Sequence, residues 1–140
     1  VRVSDNGKGM DAPTVRRAFD PFYTEPGKHD RRRVGLGLPL LKQSCEACGG
    51  SVSLKSRRGV GTELSYSFDP SNIDMPPIGN LADSVVTLFN YPGDFDLSFA
   101  HRTASGGYSV GGLDTVEGLT LAREYMRSQE DALRFSAQPK

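Results

Sequence analysis

The 140-residue sequence contains no tryptophan, only two cysteines and no excess charge of either sign, since 17 Lys and Arg balance 17 Asp and Glu. Two cysteines cannot form the disulfide framework of a small secreted domain, and nothing in the sequence resembles a secretory signal, so we expect a cytoplasmic setting. Balanced charge argues against a dedicated nucleic-acid binder. No apolar run approaches the roughly 18 residues of a membrane span, so we expect no transmembrane segment.

Hydrophobic residues make up 36% of the chain, or about 44% when Gly is included and Tyr left out, and charged residues make up 24%; the last two values are close to those of a globular protein. The sequence opens on the alternating Val1-Arg2-Val3 without an initiating Met, and we expect an N-terminal truncation. From Asp69 to Pro77 the composition changes to Pro, Ser, Asn and Asp, which predicts a linker. We therefore expect a domain at residues 1–69, a linker at 70–78, a small unit at 79–135 and a flexible tail at 136–140.

The first part alternates strands and helices. Val1 to Ser4 predicts a strand that ends in a glycine loop, and Asp11 predicts the N-cap of a helix that stops near Asp20-Pro21. Residues 23–34 are polar and aperiodic, as in a functional or disordered loop. A second helix opens at Gly35-Leu36-Gly37 and ends at Gly49-Gly50, and the alternating residues 52–68 predict a hairpin.

The region from 79 to 135 has the pattern of an α-β-β-α unit. Leu81 to Phe89 predicts a helix, Phe95 to Phe99 a strand with one buried face, Tyr108 and Val110 a short strand, and Asp114 the start of a final helix. Its residues show no catalytic spacing, and we expect it to bind a partner or to dimerise. Asp94 and Asp96, two apart on the predicted strand, are interpreted as a solvated face rather than a metal pair.

Each glycine motif is weak alone, but their order is informative. A strand-end Asp5-x-Gly7-x-Gly9, then Phe19-Asp20-Pro21-Phe22, a long loop, Gly35-Leu36-Gly37-Leu38 at a helix start and Gly59-Val60-Gly61-Thr62 in a hairpin form one series. This series resembles the G1, F and G2 boxes and the last turn of the GHKL ATPase superfamily, and its spelling is closest to bacterial histidine kinases. The resemblance covers residues 1 to about 68. It implies an α/β fold of the Bergerat type, a two-layer α/β sandwich that we expect to be incomplete here.

The resemblance also implies where ATP binds. Asp5 would accept a hydrogen bond from the adenine amine, and the N–H groups at the second helix start would face the phosphates. The ATP-binding residues implied are Asp5, Gly7, Gly9, Phe22, Gly35, Leu36, Gly37, Leu38 and Thr62. On the intervening loop, Lys28, Arg31, Arg32 and Arg33 either reach the γ-phosphate or form a solvated basic run, and the sequence favours neither interpretation.

One family element, the N box with the Asn that holds Mg²⁺, is expected to precede Val1. Without a protein ligand for that ion, we expect the chain alone to bind ATP weakly and to transfer no phosphate. Because apolar surface is left uncovered, we also expect it to self-associate or to be marginally stable. No catalytic or metal-binding residue is assigned within the sequence. Mg²⁺ and ATP are the expected cofactors of the parent protein.

Two other motifs point to chemistry less strongly. Cys45-x-x-Cys48 has no second Cys pair or spaced His, and both residues fall on the apolar face of the second helix, which favours buried small side chains. His29-Asp30 lies in the polar loop beside three arginines, and His101 is placed at a strand end with no site around it. The sequence therefore shows no phosphoacceptor histidine.

Two functions fit these observations. The first is the ATP-binding domain of a histidine kinase whose parent protein passes the γ-phosphate to a protein histidine, with a response regulator as its partner. The second is a stand-alone ATP-binding interaction protein, or an anti-sigma-type serine kinase, without histidine kinase activity. The presence or absence of a His-bearing helical domain before the N box distinguishes them.

Overall fold

The structure is a computed structural model that describes residues 1–23, 35–77, 79–89, 96–103, 106–110 and 116–136. The chain divides into two units, residues 1–77 and residues 78–140. The elements of the first unit are β1 (Arg2–Asp5), α1 (Ala12–Arg17), α2 (Gly37–Ala47), β2 (Ser51–Arg57) and β3 (Gly61–Ser67). Those of the second are α3 (Leu81–Phe89), β4 (Phe99–Thr103), β5 (Gly106–Val110) and α4 (Val116–Ser136).

The first unit is built on an antiparallel sheet with strand order β1-β3-β2. Directly paired residues of antiparallel strands share a face, so the register places Val3, Leu64 and Leu54 on one side of the sheet. Both α1 and α2 contact β2, whose alternate residues are half-buried. Strands and helices thus form two layers, and the mixed α/β architecture predicted for this part is confirmed.

The same register places polar residues near the ends of the strands on the face that the helices cover. Asp5 pairs with Thr62, and Thr62 pairs with Ser56. These three residues therefore continue the apolar rows of the sheet toward the end at which β2 turns into β3. The predicted first strand is shifted by one residue, because β1 runs to Asp5 and holds that side chain within the sheet register.

The helix boundaries follow from local chemistry. Asp11 caps α1, because its carboxylate accepts a hydrogen bond from the Thr14 amide at 3.0 Å. Gly49 stops α2 by adopting a φ of +75°, which a residue with a side chain rarely tolerates. The predicted cap and the predicted helix end are both confirmed.

The apolar face of α2 ends in the two cysteines. Cys45 and Cys48 are 0% exposed, and the Cys48 thiol donates to the carbonyl oxygens of Ser44 and Cys45. Burial raises the pKa of the Cys45 thiol, and the neighbouring Cys48 raises it further. The prediction that both act as buried small side chains is confirmed.

The second unit pairs β4 with β5 antiparallel and brings α3 against α4. Ala122 and Met126, four residues apart on α4, are 0% and 6% exposed and mark its buried face. His101 lies in the middle of β4, where its Nδ1 atom is 2.7 Å from the hydroxyl oxygen of Tyr125 on α4. The prediction that His101 stands at a strand end was wrong.

The predicted strand from Phe95 to Phe99 was also misplaced. Residues 96–98 are not in a strand, and β4 begins at Phe99. Asp96 therefore precedes the strand, and Asp94 lies outside the described residues. An extended segment leading into a strand alternates buried and exposed side chains just as a strand does, so the sequence pattern could not separate the two.

Candidate functional site

The carboxylate of Asp5 stands exposed at the end of β1. Its Oδ1 atom accepts a hydrogen bond from the Gly7 amide at 2.9 Å, which turns the chain back over the strand end. Within the described part of the chain Oδ2 has no hydrogen bond, so it can accept a donor from a ligand. A β-carbon at Gly7 would lie 2.9 Å from Oδ1, so this bond depends on the absence of a side chain there.

The loop that follows Asp5 interlocks with the β2–β3 hairpin through two glycines. Gly9 has a φ of +61°, and a β-carbon there would lie 2.0 Å from the carbonyl oxygen of Arg57. Gly61 has a φ of +132°, and a β-carbon there would lie 2.0 Å from the carbonyl oxygen of Asp5. A residue with a side chain would collide with the opposing backbone at either position. The two glycines therefore allow the loop and the hairpin to lie this close together.

Hydrogen bonds complete this junction. The Gly59 amide donates to the Lys8 carbonyl at 2.7 Å, and the Met10 amide donates to Ser56 Oγ at 2.8 Å. Ser56 Oγ is also 3.0 Å from Thr62 Oγ1. Loop and hairpin therefore hold Asp5 and Thr62 side by side at one end of the sheet.

A shallow depression of about 360 Å³ marks this end of the sheet. Its lining residues are Ser4, Asp5, Lys55, Ser56, Arg57, Val60, Gly61, Thr62 and Glu63. These residues come from both faces of the sheet. The depression is therefore the open end of the sheet and not a cleft shaped for one ligand.

A second group of predicted residues meets at the base of the loop between α1 and α2. The Phe22 amide donates to the Gly35 carbonyl at 3.2 Å, and both residues have left-handed backbones with φ of 67° and 59°. The Phe22 side chain is 74% exposed. A bulky residue seldom adopts this conformation, which makes Phe22 a position of backbone strain.

The N-terminus of α2 is open. Leu36 occupies the cap position, and no side chain caps the helix. Pro39 has no N–H group, so the amides of Gly37 and Leu38 are the first donors that the helix leaves without an internal partner. A β-carbon at Gly37 would meet nothing within 4 Å, so a ligand has room to approach these amides.

The structure thus gathers the predicted residues into two groups. Asp5, Gly7, Gly9 and Thr62 form the first, at the sheet end, and Phe22 with Gly35 to Leu38 forms the second, at the start of α2. Lys28, Arg31, Arg32, Arg33 and the His29-Asp30 motif lie outside the described residues.

The sequence analysis did not identify Ser56, whose hydroxyl lies 3.0 Å from that of Thr62 in the first group. Ser56 follows Val52 and Leu54 at every second position of β2, on the face that the helices cover. The sequence did offer a signal, since a serine occupies a position of the alternating strand where an apolar residue is expected. A half-buried hydroxyl needs hydrogen-bond partners, so this serine could have been predicted to bond to neighbouring polar groups.

Two properties hold for the described ranges as a whole. None of their helices combines the length and the apolar character that a membrane span requires. Nor do these ranges bring together three or more His, Cys, Asp or Glu side chains in an arrangement that could hold a metal ion.

Comparison with known proteins gives a family match over residues 1–72, just over half of the chain, to the family described as "Histidine kinase-, DNA gyrase B-, and HSP90-like ATPase". The sensor histidine kinase YxdK of Bacillus subtilis is 35% identical over 69 residues, which are 49% of this chain and 21% of that protein. The heme sensor protein HssS of Staphylococcus saprophyticus is 35% identical over 66 residues, 47% of this chain and 14% of its own length.

A third relative is the CAI-1 autoinducer sensor kinase/phosphatase CqsS of Vibrio cholerae, with 38% identity over 68 residues, 49% of this chain and 10% of that protein. The chain therefore spans about a fifth or less of the length of these three relatives.

Proposed function

Because the chain belongs to the family of histidine kinase-, DNA gyrase B- and HSP90-like ATPases, we propose that residues 1–72 bind ATP for a sensor histidine kinase. The whole protein would transfer the γ-phosphate to a protein histidine and signal to a response regulator. ATP is available in the cytoplasm, which is where this part of the protein would work. Three relatives with sensor or sensor-kinase names support the histidine kinase over the stand-alone alternative.

The base of the nucleotide would bind at the sheet end. Adenine carries an exocyclic amine, and the exposed Asp5 carboxylate has an oxygen available to accept from it. Gly7 and Gly9 let the backbone pass close to a flat ring without side chains in the way. Thr62, directly across from Asp5, would supply a second polar contact.

The phosphates would bind at the start of α2. The amides of Gly37 and Leu38 point along a helix end where the dipole favours negative charge, and the space beside Gly37 admits a bulky anion. Phe22 and Gly35 close the base of the adjoining loop. Lys28 and Arg31 to Arg33 on that loop would neutralise the charge of the triphosphate.

Phosphoryl transfer depends on positioning and on neutralising phosphate charge, and Mg²⁺ ordinarily contributes to both. We therefore expect Mg²⁺ to be a cofactor of the whole protein. To the binding of the triphosphate, this chain would contribute the amides at the start of α2 and the basic residues of the loop.

The observation that carries the proposal is the exposed carboxylate of Asp5, held beside Thr62 by the interlocked glycines. The substitution Asp5→Asn keeps the oxygen that accepts from Gly7 but removes the charge. A charge-assisted hydrogen bond contributes about 1.5–3 kcal/mol, and 1.4 kcal/mol is about a tenfold change in affinity. We expect calorimetry to show ATP binding weakened about tenfold or more.

The matched control is Asp74→Asn, which removes another exposed carboxylate from the same unit. We expect it to leave ATP affinity unchanged. Equal ATP affinity in Asp5→Asn and the unmodified chain would contradict the assignment of the adenine site.

A further inference from the structure

We propose that Arg17 positions the phosphate end of the site by holding the turn at residues 20–23 in a form that Phe22 disfavours. This role rests on the proposed function, since the start of α2 is where the phosphates would bind. Arg17 itself would touch no atom of the nucleotide, so it is a positioning residue that acts through the base of the loop between α1 and α2.

Residues 20–23 form a type II β-turn. The Tyr23 amide donates to the Asp20 carbonyl at 3.2 Å, and Phe22, the third residue of the turn, has a φ of 67°. Pro21, the second residue, cannot adopt a positive φ, which excludes a type I′ turn, and a type I turn has a negative φ at its third residue. The third position of a type II turn ordinarily holds glycine or asparagine, so a phenylalanine there is strained.

The side chain of Phe22 does not compensate for this strain, because it is 74% exposed and gains little from burial. The backbone gains one hydrogen bond, from the Phe22 amide to the Gly35 carbonyl at 3.2 Å. Gly35 lies two residues before Gly37, whose amide is the first that α2 leaves open. The type II form therefore matters to the site because it aims the Phe22 amide at the segment that leads into α2.

Arg17 contacts the turn on both sides of Phe22. Its Nε atom is 3.7 Å from Asp20 Oδ2, and its guanidinium carbon lies 4.3 Å from the centre of the Tyr23 ring. A planar guanidinium can make both contacts at once, because it stacks on a ring with its face while its N–H groups lie at its edge. A single side chain thus joins the first and the last residue of the turn.

These two contacts together are comparable in size to the strain at Phe22. A cation above an aromatic ring and an exposed ion pair are each weak, and so is the preference against a left-handed backbone at a single residue. Without Arg17, the type II turn should therefore compete with the type I form, in which Phe22 has a negative φ. The two forms differ by a rotation of the peptide between Pro21 and Phe22, so in the type I form the Phe22 amide no longer points at Gly35.

The test compares the whole chain with Arg17→Ala by calorimetry, using ATP and adenosine. We expect ATP affinity to fall about fivefold, or about 1 kcal/mol at 1.4 kcal/mol per decade, whereas adenosine affinity should stay the same because adenosine carries no phosphate. Nuclear magnetic resonance without nucleotide reports on the turn itself. The Overhauser effect between the Pro21 α-hydrogen and the Phe22 amide hydrogen is strong in a type II turn, and we expect it to weaken in Arg17→Ala.

The matched control is Arg16→Ala, which removes the same kind of exposed side chain from the neighbouring position of α1. It should preserve both affinities and the Overhauser effect. Tyr23→Phe keeps an aromatic ring against the guanidinium and should behave like the unmodified chain, whereas Tyr23→Leu should behave like Arg17→Ala.

The substitution Phe22→Gly separates a held turn from a general loss of structure. Glycine adopts a positive φ without strain, so the turn no longer needs Arg17. In the Phe22→Gly background, Arg17→Ala should therefore leave the ratio of ATP to adenosine affinity unchanged, as a double-mutant cycle would show. An equal fall of the ratio in both backgrounds would overturn the proposal.

The remaining outcomes separate this role from the proposed function. An unchanged ratio in Arg17→Ala, or an Overhauser effect that persists there, would overturn the positioning role, and an equal loss of both affinities would indicate a purely structural residue. If Asp5→Asn weakens ATP binding while Arg17→Ala leaves the ratio unchanged, this role alone falls. If ATP fails to bind the unmodified chain, the proposed function falls and this role falls with it.

Discussion

At the scale of single residues, the candidate base site depends on two glycines that hold the backbone of the loop and of the hairpin close together. Gly9 and Gly61 each lie against a carbonyl oxygen of the opposing segment, at a distance that leaves no room for a β-carbon. The side chains of Asp5 and Thr62 are placed by these backbone contacts. Substituting either glycine should therefore disturb both the fold and the site.

We expect Gly9→Ala to lower the free energy of unfolding by roughly 3 kcal/mol or more, because overpacking adds to the cost of a left-handed backbone. The control is Gly59→Ala, which also has a positive φ but an open surrounding, so only about 1–2 kcal/mol should be lost. Urea denaturation measures both. Equal losses in the two variants would show that crowding against Arg57 adds nothing to the loss in the free energy of unfolding.

At the scale of elements, the two ends of α2 differ, because one end is buried and the other is where we propose that the phosphates bind. Its C-terminal end buries Cys45 and Cys48, whereas its N-terminal end leaves Gly37 exposed with uncapped amides. Packing at one end thus fixes the orientation of the donors at the other. A substitution at Gly37 should separate stability from binding.

The substitution Gly37→Ala should keep or raise stability by up to about 1 kcal/mol, because alanine favours a helix more than glycine does. The added methyl group would nevertheless occupy the space beside the first amides. We expect ATP affinity to fall severalfold while adenosine affinity stays the same, as measured by calorimetry. A parallel loss of adenosine binding, or no loss of ATP binding, would contradict the placement of the phosphates.

The stability that the cap of α1 contributes should depend on pH. Hydrogen bonds from the side chain and backbone of Thr14 lower the pKa of Asp11, so its folded pKa lies below its unfolded value. Its stabilising effect is therefore present above the unfolded pKa, near 4, and is lost as the pH falls through the folded pKa. Asp11 is fully exposed, so solvent screening keeps the effect small.

Thermal unfolding of Asp11→Asn tests this directly, since asparagine caps a helix without a charge. We expect the unmodified chain to have the higher midpoint at pH 7 and the difference to close toward pH 3. A difference that stays constant over this range would contradict the linkage to Asp11.

At the scale of the whole molecule, the first unit leaves apolar surface on one side of its sheet. The helices contact β2, while Val1 and Val3 on the same sheet face are 70% and 54% exposed. In the described part of the first unit β1 is also an edge of the sheet, and an edge strand with exposed apolar residues favours pairing with another chain.

We expect light scattering to show that the chain self-associates as its concentration is raised, and that Val3→Lys reduces the association. Ile73→Lys is the control, since Ile73 is 97% exposed and outside the sheet. A monodisperse monomer for the unmodified chain would contradict the prediction.

The local signals of the sequence were sufficient for much of the fold. Asp11 as a cap, Gly49 as a helix stop and the stripe of Leu38, Leu41, Cys45 and Cys48 depend on neighbours within a few residues, and the structure has them as predicted. They failed at Asp96 to Ser98, where alternation without strand pairing looked like a strand. The ATP-binding assignments of single residues stay predictions.

Contacts between distant residues required the tertiary structure. The sequence by itself determined that Asp5, two glycines and a Gly-x-Gly-Thr hairpin occur in order, and hence the family. Sheet register decided that Asp5 pairs with Thr62. The packing of the loop on the hairpin decided that Gly9 lies against Arg57 and that Ser56 accepts from Met10. These contacts join residues about 50 positions apart, and a register shift by one residue would turn a strand residue such as Thr62 to the opposite face of the sheet.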